Sequence, residues 1–156
     1  MPRHGNIIKR KIPKDAVYNS EELQRFINKL LLQGKKSTAE KIMYGAMLLI
    51  QEKTKTDPMV VFNKALENIR PLLEVKARRV GGATYQIPLE VSKTRSMAIA
   101  MQWLRDTSRA RKGKSMIENL AAELLDAYNG TGSAIGKKET LHKTAEANKA
   151  FAHFRW

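Results

Sequence analysis

The sequence predicts a mainly α fold: a single-domain bundle of about six helices, with one protruding two-stranded β-hairpin between helices 3 and 4 and an extended basic N-terminal arm. Three observations carry this. Apolar residues recur at helical spacing in several capped segments. The period switches to two over residues 72–91, around Gly81-Gly82. Residues 1–14 carry Arg3, Lys9, Arg10, Lys11 and Lys14 with no acid and no helical period. At 156 residues the chain fits one domain able to bury roughly 70% of its unfolded surface, so a true core is possible.

The elements follow in order. The start, acid-free through Lys14, reads as an extended arm, or as a solvated tail, over residues 1–18. Leu23, Phe26, Ile27, Leu30 and Leu31 form one stripe behind an Asn19/Glu22 capping box, which predicts a first helix over 20–32 ending before Gly34. A Ser37/Glu40 box opens a second, whose apolar face is Ile42, Met43, Ala46, Leu49 and Ile50. Asp57 as N-cap and Pro58 at the first helical position open a third on Val61, Phe62, Ala65, Leu66 and Ile69, which Pro71 closes.

LLEVKARRVGGATYQIPLEV then reads as two strands. Gly81-Gly82 suits the positive φ angles of a two-residue turn, and Tyr85, Ile87, Leu89 and Val91 share one face. The outer half, with Lys76, Arg78, Arg79 and Thr84, has little to bury, so the hairpin is expected to project. Ser92 caps a fourth helix on Met97, Ala100, Met101 and Leu104, and Ser115/Glu118 a fifth on Ile117, Leu120, Ala121, Leu124, Leu125 and Tyr128, ended by Gly130. Residues 134–150 are helical in composition with only Ile135 and Leu141 as large apolars, which places a last helix at the bundle's edge. The whole is one domain over 1–156, with a basic C-terminal helix and tail over 133–156.

Composition narrows the function. Apolar residues at 42% and charged residues at 28% are globular values. No apolar run approaches the ~18 residues of a membrane span, so no membrane role is expected. The start MPRHGN lacks the apolar core of a secretory signal, and cysteine is absent, which excludes disulfides and thiolate metal sites and leads to the expectation of a cytoplasmic chain. His4, His142 and His153 show no metal-site spacing, and no phosphate-binding glycine loop is present, so neither a catalytic residue, a metal nor a cofactor is expected.

The charge is informative: 29 Lys+Arg against 15 Asp+Glu gives +14, an excess that repels itself until a polyanion neutralises it. The cations are clustered: Lys9, Arg10 and Lys11 in the arm, Lys35-Lys36 after the first helix, Lys76, Arg78 and Arg79 in the hairpin, Lys93 and Arg95 after it. Arg105, Arg109 and Lys112 follow i, i+4, i+7 spacing, continued by Arg111 and Lys114, and Lys138, His142 and Lys149 are spaced to share a side of the last helix. A single cluster would be an ordinary solvated face. Several together indicate nucleic acid, and a flexible arm plus a basic hairpin on a helical body suits folded RNA better than duplex DNA. Aromatics at 6% disfavour single-strand binding by stacking. The closing aromatics Phe151, Phe154 and Trp156 serve either as an anchor onto the body or as stacking groups. The alternatives are a general nucleic-acid packaging protein and an RNA-modifying or RNA-cleaving enzyme.

MPRHG, GKKSTAEKI, VKARRVGGATYQIPLEV and KKETLHKTAEANKAFAHFRW together resemble bacterial-type small-subunit ribosomal protein seven, the S-seven family, across nearly the whole length. That resemblance implies a ribosomal RNA binder that nucleates assembly of the small-subunit head. Its bundle and arm hold an RNA junction, and its hairpin reaches toward exit-site transfer RNA and the messenger path. Carried over, Arg3, Arg10, Lys35, Lys36, Lys76, Arg78 and Arg79 would be ribosomal RNA contacts. Arg79, Gly81, Gly82 and Tyr85 in the hairpin, with Lys138, His142 and Lys149, would face transfer RNA, the messenger path or a neighbouring head or platform protein. No homo-oligomer is expected.

Overall fold

A computed structural model of the chain describes residues 11–154. In chain order these form α1 (Glu21–Leu30), α2 (Lys36–Thr54), α3 (Pro58–Ile69), β1 (Leu73–Val80), β2 (Ala83–Glu90), α4 (Lys93–Ala110), α5 (Met116–Tyr128), α6 (Ser133–Ala147) and a 3-10 turn over Lys149–Phe154. The expected architecture holds among these residues: six helices with a two-stranded antiparallel hairpin between α3 and α4. Most of the expected arm, with Arg3, Lys9 and Arg10, lies outside the described residues.

The core forms where the predicted stripes converge. The α5 helix packs against α2, α3 and α4, and buries Leu120, Ala121, Leu124 and Ala127 completely. Its neighbours approach closely because small residues face it: a Cβ added at Gly45 in α2 would stand 3.1 Å from Ile117. Phe26 of α1 and Phe62 of α3, both fully buried, meet with ring centroids 5.7 Å apart, a tilted aromatic pair.

Caps decide the helix starts, and two differ from expectation. The first cap is Ser20, not Asn19: its Oγ accepts the Leu23 N–H at 3.3 Å, while Asn19 takes a left-handed φ of 50° in the preceding turn. That turn is built on Asp15, only 3% exposed, whose carboxylate accepts the Val17 and Tyr18 N–H groups and the Tyr44 hydroxyl at 2.6 Å. Burial and this bond push the Tyr44 phenol above its usual range. The chain is thus fastened to α2 from Asp15 onward.

The Ser37/Glu40 box does not form. Left-handed Gln33 and Gly34 reverse the chain so tightly that α2 begins at Lys36, leaving Ser37 helical and Glu40 paired with Lys36 at 3.4 Å. Asp57 and Ser115 cap as expected, accepting the Met59 and Glu118 N–H groups at 2.9 and 3.3 Å. Ser92 occupies the cap of α4 with its carbonyl alone, which accepts the Ser96 N–H.

In the hairpin Val80 pairs with Ala83 across Gly81 and Gly82, whose φ values of 58° and 91° fit the two-residue turn. Residues 76–79 and 81–84 are exposed. The inner half is covered: Ile87 is 1% exposed, and the 3-10 turn brings Phe151 to 5.0 Å from the Tyr85 ring. Phe151 therefore anchors the tail. The α6 helix runs along the hairpin and is the thinly buried edge that was expected, hiding only Ala134, Ile135 and Ala145.

Candidate nucleic-acid interface

Hydrogen bonds and packing collect the basic clusters into two groups at opposite ends of α4. Its 18 residues rise about 1.5 Å each, so these ends stand roughly 27 Å apart. At the C-terminal end the Arg109 guanidinium donates to the Leu30 carbonyl at 3.0 Å, which ties α4 to the last residue of α1. The start of α2, with Lys35 at its cap and Lys36 as its first residue, and the loop carrying Lys112 and Lys114 thus lie at one end of the bundle, and all four lysines are exposed. The helical i, i+4, i+7 ridge is not formed as expected. Gly113, at φ 89°, and the Ser115 cap of α5 require a connecting loop, so α4 stops at Ala110 and Lys112 lies beyond it.

Arg105 and Arg111 have partners within the chain. Arg105 binds Asp106 at 2.7 Å. Arg111 donates to Glu123 at 2.7 Å and also to Asp126. Glu123 is fully buried, and its other oxygen accepts the Ala134 N–H at 2.9 Å, so one arginine holds the α4–α5 loop, α5 and the start of α6 together. Gly132 is required beside this clamp: a Cβ there would come within 2.9 Å of the Asp126 side chain.

At the other end of α4, Lys93 and Arg95 stand beside the hairpin. Arg95 donates to both oxygens of Glu74 on β1, at 2.9 and 3.3 Å, and keeps the Glu74 carboxyl below its usual range while remaining exposed itself. Arg70 joins the same corner, with Nε on the Ser96 hydroxyl at 3.1 Å. Sequence spacing gives no signal for Arg70, because its partner lies 26 residues away. On the hairpin, Arg78 pairs across the strands with Tyr85 and Arg79 with Thr84. Adjacent strand residues point to opposite faces, so the two arginines present charge on both sides of the ribbon.

The residues of the last helix divide in two. Lys138 donates to the Asn68 carbonyl at 2.7 Å, and His142 Nε2 accepts the Leu72 N–H at 3.1 Å where the hairpin leaves the body. Both fasten α6 to its neighbours. Lys149 is exposed and lies beyond the end of α6, in the 3-10 turn, beside a groove lined by Leu73, Pro88 and His142. Lys11 is exposed as well. Among the described residues no cluster of His, Cys, Asp and Glu could hold a metal ion, and no helix is long and apolar enough to cross a membrane.

Comparison with known proteins agrees with this geometry. The model of the family described as ribosomal protein S7p/S5e matches residues 2–149. The small ribosomal subunit protein uS7 of Dictyoglomus thermophilum is 58% identical over 156 residues, the full length of both chains. Its counterparts from Rhodococcus erythropolis and Heliobacterium modesticaldum are 56% and 54% identical over the same span. With a cation-rich helical body, a basic two-stranded ribbon and full-length matches of this kind, the chain belongs to the S7p/S5e family of ribosomal proteins.

Proposed function

We propose that the chain is a structural constituent of the small ribosomal subunit and binds ribosomal RNA directly. The family is one of ribosomal structural proteins, not of enzymes. The observation that carries the reading is the pairing of two cationic ends across α4 on a rigid, well-packed core. Lys35, Lys36, Lys112 and Lys114 at one end, with Lys76, Arg78, Arg79 and Lys93 at the other, are exposed side chains able to neutralise phosphates from different RNA segments. Such a protein fixes the relative position of the segments it spans. That is the physical content of nucleating the subunit head: RNA compaction and protein docking become one event.

The hairpin tip, with Arg79, Gly81, Gly82 and Tyr85, is the element that reaches exit-site transfer RNA near the messenger path, and Lys149 extends that face. Neighbouring head and platform proteins are the remaining partners. A ribosomal protein of bacterial type works in the cytoplasm, on the ribosome.

The test is competition. Full-length protein bound to small-subunit ribosomal RNA is challenged at fixed salt with duplex DNA and with unrelated folded RNA. A preference of at least about a thousandfold for the ribosomal RNA is expected, the lower end of the usual range of specific over non-specific binding. Equal displacement by all three polyanions would support a packaging role in its place.

A further inference from the structure

Leu30, Leu31 and Leu32 follow one another at the end of α1 but differ in environment. Leu30 is buried, Leu31 is half-buried, and Leu32 keeps 60% of its surface exposed. The exposure comes from an ordered turn. Gln33 and Gly34 have φ values of 53° and 75°, the Lys35 N–H donates to the Leu32 carbonyl at 3.0 Å, and the Lys36 N–H to the Gly34 carbonyl at 2.8 Å. Two successive left-handed residues direct the chain away from the core just where a third leucine arrives.

Leu32 borders a cleft of about 210 Å³ floored by Leu30, Ala39 and Ile42, with Gln33, Lys35 and Thr38 around it. Drug-sized ligands occupy sites of roughly 300–1,000 Å³, so this cleft has room for one planar ring and little more. Its surroundings are cationic. Lys35 lines it, Lys36 follows in sequence and is shared with Glu40 through a partly exposed ion pair at 3.4 Å, and Arg109 touches the Leu30 carbonyl. An occupant with an apolar face and an anionic tether is complementary to both features.

We propose that this cleft receives an unpaired nucleobase of the bound RNA, packed against Leu32 and Ile42, with the adjoining phosphates on Lys35 and Lys36. The inference rests on the RNA-binding reading and adds a contact of a different physical kind. Gln33 and Thr38 supply hydrogen-bonding groups for the base edge, and splayed-out bases are what proteins read in RNA loops and bulges.

A salt titration separates this contact from phosphate binding. The full chain, Leu32→Ser and Lys35→Ala are compared for binding to small-subunit ribosomal RNA over a series of salt concentrations. Leu32→Ser removes apolar contact but no counterion release, so affinity falls about tenfold at every salt concentration with the log–log slope unchanged. Lys35→Ala lowers the slope by about 0.7–0.9. Because Leu32 is largely exposed, circular dichroism of its variant stays that of the parent. Parent binding intact with Leu32→Ser unaffected would overturn the nucleobase and leave a protein neighbour to cover the cleft. Failure of the parent chain to bind this RNA at all would overturn the RNA reading as well.

Discussion

Arg111 and Arg79 carry the same side chain and do opposite things. Arg111 sits in the α4–α5 loop between a fully buried Glu123 and Asp126, and its charge is used inside the fold. Arg79 sits on the outer half of the hairpin, exposed, where its charge is available to a partner. The difference shows that net charge alone does not count the cations available to RNA: some of the +14 is spread over residues that fasten helices to each other. The same contrast separates two regions. The α4 C-terminal end is held by Arg109 and Arg111, whereas the outer half of the hairpin is held by the pairing of its two strands, the tail covering only the inner half.

The largest expected effect breaks the clamp. Arg111→Ala leaves Glu123 buried without its cation and should cost about 3 kcal/mol of stability, measured by denaturant unfolding, whereas Arg79→Ala leaves the unfolding midpoint unchanged. If Arg111→Ala unfolded at the parent midpoint, the contrast between the two arginines would be lost.

The next effect concerns the exposed partner. Arg78→Ala with Arg79→Ala should weaken ribosomal RNA binding about tenfold or more near physiological salt. The salt slope should fall by about 1.5, with far-ultraviolet circular dichroism unchanged. Loss of helicity equal to that of a core variant would show that these side chains support the bundle.

The smallest effect lies at the hairpin's root. Burial first, and the Lys138 charge second, hold His142 below the usual imidazole value, and its neutral ring accepts the Leu72 N–H. Glu90 and Glu146, with Lys149, also line the groove it faces. The unfolded chain takes up the proton more readily than the folded one, so this contribution is complete above about pH 6.5 and is lost as pH falls through the lower, folded value. Hydrogen-exchange protection of the Leu72 amide should drop by about 1 kcal/mol on acidification. In His142→Leu it should be low at every pH. A pH-independent parent would remove the histidine from this role.

Local chemistry made much of the fold legible. The α3 helix follows from Asp57, Pro58 and a five-residue apolar stripe, α5 from Ser115 and its own stripe, and the hairpin from Gly81-Gly82 inside a period-two run. Legibility failed where a neighbouring turn shifted a boundary. The Asp15 turn moved the α1 cap to Ser20, Gln33-Gly34 advanced the start of α2, and Gly113 ended α4 before Lys112. Within the candidate interface, the exposed lysines were readable as a basic surface. The engaged residues were not: the partners of Arg95, Arg109, Lys138 and His142 lie 21, 79, 70 and 70 residues away, and no periodicity encodes such distances.

By itself the sequence determined the element types, the cationic excess and the family. These depend on side-chain period, cap chemistry and composition, which act over a few residues or over the chain as a sum. Tertiary structure alone decided which cations point outward, that the tail covers the hairpin, and that Leu32 stands exposed beside a cleft. Those outcomes depend on which surfaces meet once the helices pack, and a buried carboxylate such as Glu123 or an unpaired carbonyl such as that of Leu30 claims a cation only when folding has brought it within reach.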